Sequence, residues 1–484
     1  TALPYATRSA LHLKGLVPSG VEDFSVQEQR ALEQLNMKST NLEKYIFLSW
    51  LRTTNINLFY RLVLHNLKAI APVIYTPTVG QACQEYSHIY PFLAPPNNVD
   101  GLYIPLTEVE NIGEIIGNYR ESIKEGDEPE ITVITDGSRI LGLGDLGMNG
   151  MGIPVGKLQL YVAAAGLNPD RSGIPPRDQR ILFVGAGSAG TGVAKQLVDY
   201  FVIEHKIPAP QAQAMFWFVD SHGLITANRG DTLPHHKVSL ARQDNGSTQC
   251  ATIEEALEYV KPTALIGLST IYKAFSEKIL TRMSEINSQA RPIIFPLSNP
   301  ETKAECSFEE AMRCTNNRVL FASGTAFPEY TDPETCQVFV PGQGNNMYVF
   351  PAIGLGAVLC KPTCITDTMI YAVSKALAAS LNSQEKADGE LYPRIERIRE
   401  VSAELAAAFI QQAVREDLAK DQKWIDLAKA CEAGKLVAEV RRFMWLPAET
   451  FEQLRQCCPH THHHPVMPHN HEHPVVPEVP AGKL

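Results

Sequence analysis

The stretch that most limits the possible folds is residues 181–190, ILFVGAGSAG. Four apolar residues make a short buried strand, and Gly185-Ala186-Gly187-Ser188-Ala189-Gly190 completes a G-x-G-x-x-G turn. A helical pattern follows, with Val193, Leu197, Val198, Phe201 and Val202 on one face. The motif is weak alone. Between a strand and a helix it acquires a mechanism. The first glycine permits the tight turn, the second lets backbone approach a pyrophosphate, and the third allows close packing of helix on strand. The helix start then offers oriented N–H groups to phosphate, here from Ser188, Ala189 and Gly190.

Four more apolar runs continue the pattern: Met215–Val219, Ala264–Leu268, Ile293–Leu297 and Val319–Ser323. Helical or loop segments separate them. Such alternation predicts an α/β chain with a Rossmann-type, doubly wound parallel sheet. The second strand ends at Asp220, where an acidic residue accepts from ribose hydroxyls in NAD-binding folds. Ser221 follows it, and Lys237 lies 17 positions on. A serine and a lysine there suit a ribose 2′-phosphate better than a free hydroxyl. On local sequence alone Lys237 reads equally as a surface lysine.

A second constraint is the run 132–160, TVITDGSRILGLGDLGMNGMGIPVGKLQL. Ile131 to Thr135 read as a strand, broken by Asp136-Gly137. Seven glycines lie between Gly137 and Gly156, and Lys157 opens an apolar helix. Glycine is costly in regular structure and serves where backbone must approach something closely. Ile140, Leu141, Leu143, Met151, Ile153 and Val155 argue against a solvent loop. Arg139, Asp145 and Lys157 are the charged groups of this frame.

Around these motifs, residues 25–67 carry a helical pattern, and Val73–Tyr75 reads as a short strand before Thr76-Pro77-Thr78. Tyr75 by itself reads as a packed aromatic. Helices are expected near 111–123, after Lys157, and at 366–383, 392–416 and 424–445. Leu297-Ser298-Asn299-Pro300 puts an asparagine at the carboxyl end of a strand, where open α/β sheets bind ligands. Pro341-Gly342-Gln343-Gly344-Asn345-Asn346 is a second Gly/Asn cluster. The tail from Cys457 holds seven of the fourteen histidines and six prolines. Its composition suits a disordered, solvated segment, with weak divalent-metal chelation as the alternative.

The net charge of −10 argues against a nucleic-acid partner. No apolar run approaches the ~20 residues of a membrane span. The ten scattered cysteines fit a reducing compartment, cytoplasmic or alternatively the mitochondrial matrix.

Taken together, YTPTVG (75–80), ITDGSRILGLGDLGMNGMGIPVGKL (134–158), GAGSAG (185–190), LSNP (297–300) and PGQGNN (341–346) resemble the malic enzymes, which decarboxylate L-malate oxidatively with NAD(P). The resemblance covers roughly residues 25–445. With the patterns above, the chain reads as an N-terminal helical domain (1–92), a second, incomplete α/β domain that is catalytic (93–171 with 347–450), a Rossmann dinucleotide-binding domain (172–346) and, by its composition, a separate tail (457–484). The resemblance implies Tyr75 as general acid and Lys157 as general base. Arg139 would pair with a malate carboxylate, and Asn299 and Asn346 would hydrogen-bond the substrate. The cofactor would lie on Gly185, Gly187, Ser188, Ala189, Gly190, Asp220, Ser221 and Lys237, with NADP ahead of NAD. A lysine acts as base near neutrality only when desolvation or a neighbouring cation lowers its pKa, and the apolar surroundings of Lys157 fit that need. Homodimers or homotetramers are implied.

The chain departs from the family at one place. Malic enzymes hold Mg²⁺ or Mn²⁺ on carboxylates from elements that would fall between Arg171 and Ser172, and neither element is present. Judged against the family, roughly a hundred residues are absent there, the size of a small domain. An omitted segment, a genuine deletion and a divergent paralogue each account for this, and the close match on both flanks favours the first two. The alternative activities are a malolactic enzyme and a non-catalytic nucleotide-binding relative.

Overall fold

Apolar runs become strands here because each finds a neighbour for its backbone and two covered faces for its side chains. The computed structural model describes residues 4–10, 12–95, 101–122, 132–155, 157, 178–230, 233–430 and 433–447. The strands are β1 (Ile181–Val184), β2 (Phe216–Asp220), β3 (Gly223–Leu224), β4 (Ala264–Gly267), β5 (Ile293–Pro296), β6 (Leu320–Ser323), β7 (Tyr330–Thr331), β8 (Val338–Phe339) and β9 (Gly342–Gln343). Seven form one sheet in the order β3-β2-β1-β4-β5-β6-β9, while β7 and β8 make a separate antiparallel pair. All neighbours in the large sheet are parallel except β2 and β3. All five expected runs are therefore strands, within a residue or so of the expected ends.

Alternate residues serve opposite faces, as the pleat requires. Leu182, Val184, Trp217, Val219, Leu265 and Ile294 pack on one side with Leu257, Val260, Leu280, Met283 and Phe308. Ile181, Phe183, Phe216, Phe218 and Ile266 pack on the other with Ala194 and Phe201 of the helix Ser188–Ile203. Each fully buried Leu, Ile or Phe contributes about 1.5–3 kcal/mol relative to exposure. The chain runs from β1 outward to β2, then crosses to β4 on the other side of β1. That reversal opens a crevice at the carboxyl ends of β1 and β4, the place where such sheets bind ligands.

By contact the chain divides into residues 1–33 with 446–484, and residues 34–445. In the first unit the Arg8 guanidinium of the helix Tyr5–Ala10 donates to the carbonyls of Pro18, Ser19 and Gly20. In the second, helices Asn41–Thr54, Ile56–His65, Leu67–Ile74 and Thr78–Gln84 follow one another. A capping box between Thr40 and Glu43 starts the first, and the Asn55 side chain caps the second. Helices Phe350–Cys360 and Asp367–Ala379 both pack on Ile398–Arg415. Gly356 makes room there, since a Cβ on it would lie 2.6 Å from Cδ1 of Phe409.

Three local expectations are corrected. Val73 and Ile74 are the last helical turn and Tyr75 is its cap, because burial of Ile70, Ala71, Val73 and Ile74 overrides strand propensity. Residues 132–135 form no strand. Among the described residues nothing pairs with them, and an unpaired segment gains no ladder; Ile134 is 90% exposed. The helix expected over 424–445 is two helices, Gln422–Lys429 and Ala433–Phe443. The Asn111–Ile123 helix runs from Ile112 to Ser122. The stretch after Lys157, the Arg171–Ser172 junction and the His-rich tail lie outside the described residues.

Candidate active site

The glycine turn follows β1 directly. Gly185 has φ 114°, and a Cβ on it would overlap the Leu268 carbonyl and lie 2.8 Å from the Ser269 nitrogen. A Cβ on Gly190 would lie 2.5 Å from the Gly185 oxygen. Packing therefore demands the first and third glycines. The middle one differs. Gly187 has φ −81°, and the nearest atom to a Cβ built there is Nη2 of Arg139, at 4.0 Å. Among the described residues nothing requires glycine at this point. Gly187 is also the N-cap of the helix Ser188–Ile203, which carries no side-chain cap. The helix start at Ser188, Ala189 and Gly190 faces that open space with its first N–H groups, an arrangement that receives anions. These residues fit a dinucleotide pyrophosphate.

At the end of β2 the Asp220 carboxylate is held from three directions. Arg229 donates to both oxygens, at 2.8 and 3.2 Å, Lys237 donates to Oδ2 at 2.7 Å, and the His222 N–H donates to Oδ1 at 2.9 Å. Burial alone would push this carboxyl upward, but Arg229, Lys237 and the His222 N–H hold it down at about 2. Two cations, Arg229 and Lys237, thus face this one carboxylate. Lys237 is thus no free surface lysine. Arg229 was invisible to motif reading, as an ordinary-looking arginine in a turn. Ser221 is exposed beside this group, its hydroxyl 3.3 Å from Nδ1 of His222.

The glycine run folds on itself and touches three other motifs. Gly137 has φ 71°, and its carbonyl accepts from the Leu146 N–H at 2.9 Å. The Ile140 N–H donates to the Gly144 carbonyl at 2.7 Å. Arg139, exposed, reaches over Gly187 as described. Gly142 donates its N–H to the Asn299 carbonyl at 3.0 Å. A Cβ on Gly152 would stand 3.2 Å from Sγ of Cys83 and 3.3 Å from Cγ2 of Val79, in the helix that follows Tyr75. The Cys83 thiol, pushed up to about 11 by burial, accepts from the N–H groups of Gly152 and Ile153. Lys157 is half-buried at a helical position five residues beyond Gly152.

Tyr75 is 4% exposed, and burial pushes its phenol up to about 12. The bond after Thr76 is cis, as is the one after Asn299. Asn345, rather than Asn346, ties the second Gly/Asn cluster to this segment, its Nδ2 lying 3.1 Å from Oγ1 of Thr76. Asn346 is exposed at the start of the turn Asn346–Tyr348. Asn299 is half-buried, and its Oδ1 lacks a hydrogen-bond partner among the described residues. A cavity of about 500 Å³ includes Tyr75, Gly342, Gln343 and Tyr348 in its lining. Lys157, Arg139, Asn299 and Asn346 do not line it. The motifs thus meet in pairs around the frame: Arg139 on Gly187, Gly142 on Asn299, Gly152 on the helix after Tyr75, Asn345 on Thr76.

Among the described residues, no group of three or more His, Cys, Asp or Glu side chains is placed to hold a metal ion. Asp170 is the only acidic side chain in residues 158–177. The described residues do not fit the Mg²⁺ or Mn²⁺ that the resemblance implies.

A doubly wound sheet with a glycine turn and a bare helix start at its switch point defines a dinucleotide-binding protein. Two family models match the chain: "Malic enzyme, N-terminal domain" over residues 52–174 and "Malic enzyme, NAD binding domain" over residues 160–414. The chain belongs to the malic enzyme family. It is 37% identical to the NADP-dependent malic enzyme of Dictyostelium discoideum, over 85% of this chain and 91% of that protein. It is 31% identical to the NADP-dependent malic enzyme of Homo sapiens, over 85% and 86% respectively. It is also 31% identical to the mitochondrial 59 kDa isoform of NAD-dependent malic enzyme of Solanum tuberosum, over 92% and 91%. The first alignment spans 514 positions, yet 85% of 484 residues is about 411, so about a hundred positions of that relative face a gap here. That shortfall agrees in size with the absent metal-binding stretch.

Proposed function

We propose that the chain catalyses oxidative decarboxylation of L-malate to pyruvate and CO₂ with NADP as oxidant. NADP, when bound, takes the hydride from malate C2. Arg139 pairs with a malate carboxylate in a bidentate, charge-assisted way. Asn299, whose Oδ1 has no partner among the described residues, and Asn346 hydrogen-bond the substrate. Lys157 accepts the C2 hydroxyl proton. Tyr75, whose phenol keeps its proton at neutral pH, protonates C3 of the enolpyruvate left by loss of CO₂.

The observation that carries the reading is Gly187, a glycine that none of the described residues requires, set at a bare helix start beside Arg139. NADP rather than NAD is supported by Lys237 at the end of β2, a cation that suits a ribose 2′-phosphate, with Ser221 beside it. Residues 172–346 serve as the dinucleotide domain, 93–171 with 347–450 as the catalytic domain, and 1–92 as the helical domain. The protein assembles as a homodimer or homotetramer and works in the cytoplasm, whose reducing conditions suit its free cysteines. Among the described residues, no helix is long and apolar enough to cross a membrane.

The test is NADPH formation from L-malate with Mn²⁺ added, followed by absorbance. A second reading, a nucleotide-binding protein without turnover, is favoured by the lack of a metal-binding cluster among the described residues. Turnover supports the first reading. NADPH binding without turnover supports the second.

A further inference from the structure

We propose that Glu305 is a positioning residue that locks the cofactor loop and the substrate loop to each other. This rests on the dinucleotide reading above. Glu305 is fully buried at the carboxyl ends of β4 and β5. Its Oε1 accepts three hydrogen bonds: from the Ser269 N–H at 2.9 Å, the Ser269 hydroxyl at 2.9 Å and the Ser298 hydroxyl at 2.6 Å. Its Oε2 lies 3.4 Å from the Ser298 N–H. Among the described residues no lysine or arginine pairs with it. Burying a carboxylate without a counter-ion is costly unless its hydrogen bonds are fully made. Gly267 leaves the room, since a Cβ there would lie 2.5 Å from Cδ of Glu305.

What the carboxylate joins explains why it is there. Ser269 abuts Gly185, the first glycine of the dinucleotide turn. Ser298 accepts from the Thr270 N–H at 2.9 Å and precedes Asn299, whose carbonyl holds Gly142 of the glycine frame. Thr270 sits at φ 59°, a conformation unfavourable for a β-branched residue. One buried acid therefore fixes the loop after β4 against the cofactor turn and the loop after β5 against the substrate frame. Both loops lie away from β2, on the side of the switch point expected to take the nicotinamide half of the dinucleotide.

The test uses the full chain and two probes, NADPH and adenosine 2′,5′-bisphosphate, which represents only the half near Asp220. Glu305→Gln is expected to weaken NADPH about tenfold, the loss of charge-assisted hydrogen bonds, and to leave the bisphosphate within about twofold. Ser269→Ala is expected to weaken NADPH about threefold, and to add nothing further in the Glu305→Gln background, because both changes remove one connection. Equal weakening of both probes would mean general loosening and would overturn the proposal, as would an unchanged NADPH affinity. Should Glu305→Gln not fold, Ser269→Ala and Ser298→Ala decide by the same two probes. Failure of the unmutated chain to bind NADPH would instead sink the dinucleotide reading.

Discussion

Lys237 sets its ammonium 2.7 Å from Oδ2 of Asp220, while Arg229 grips the same carboxylate at 2.8 and 3.2 Å. An acid in this position of a dinucleotide fold is usually free to accept from the ribose. Here it is already engaged by two cations, of which Lys237 makes a single contact to it.

The first expectation concerns Lys237. Lys237→Ala removes one cation and leaves Asp220 paired with Arg229. Loss of a charge-assisted contact to phosphate is worth about 1.5–3 kcal/mol, so NADP should bind roughly 10–150-fold more weakly. NAD, without the 2′-phosphate, should change by less than about threefold. Titration calorimetry with both nucleotides reads the difference, and equal losses for the two would remove the argument for NADP.

The same carboxylate makes a pH prediction with a definite sign. The folded-state value of Asp220 is depressed to about 2 from an ordinary 3.8. Its contribution is present above 3.8 and is lost as pH falls toward 2. Asp220→Asn has no such dependence. The gap in urea midpoint between unmutated chain and variant should therefore be widest near neutrality and narrow as pH drops into that window. A gap that widens on acidification contradicts the assignment.

The second and third glycines of the turn should separate under mutation. Gly187→Ala meets open space at an ordinary φ, so stability should move by less than about 0.5 kcal/mol while NADPH affinity falls at least tenfold. Gly190→Ala drives a Cβ to 2.5 Å from the Gly185 oxygen and should cost about 1–3 kcal/mol of stability. Thermal melts with and without NADPH distinguish the two. Identical behaviour would mean that Gly187 is not a phosphate seat.

Where pattern and burial coincide, the chain is readable from its residues. The runs at 181–184, 216–219, 264–267, 293–296 and 320–323 are apolar on both faces and lie in a sheet covered on both faces, so composition and environment agree. Val73–Tyr75 has the same β-branched and aromatic look but caps a buried helix, a choice made by distant neighbours and not by local preference. Residues 132–135 show the converse, a strand-like run whose pairing partner is not among the described residues. Arg139 and Asn299 stood out as candidates from motifs, and Lys237 only through the family resemblance. Arg229, Asn345 and Glu305 did not, because each acts through a contact 9, 269 or 36 residues away in sequence, which no local pattern records.

Tyr75 offers the sharpest separation of chemistry from architecture. It is buried, it closes the helix Leu67–Ile74, and its carbonyl accepts from the Val79 N–H at 2.8 Å. All of that belongs to the ring and backbone. Tyr75→Phe keeps both and removes only the hydroxyl, so melting temperature and NADPH affinity should stay close to those of the unmutated chain. If Tyr75 donates the proton to C3, turnover of malate should fall about 10²–10⁴-fold, the usual worth of a general acid. Oxaloacetate reduction does not need that proton, so with oxaloacetate and NADPH the variant should retain most of its rate. Loss of both rates together would give Tyr75 a role in shaping the site, and retention of both would exclude it as the acid.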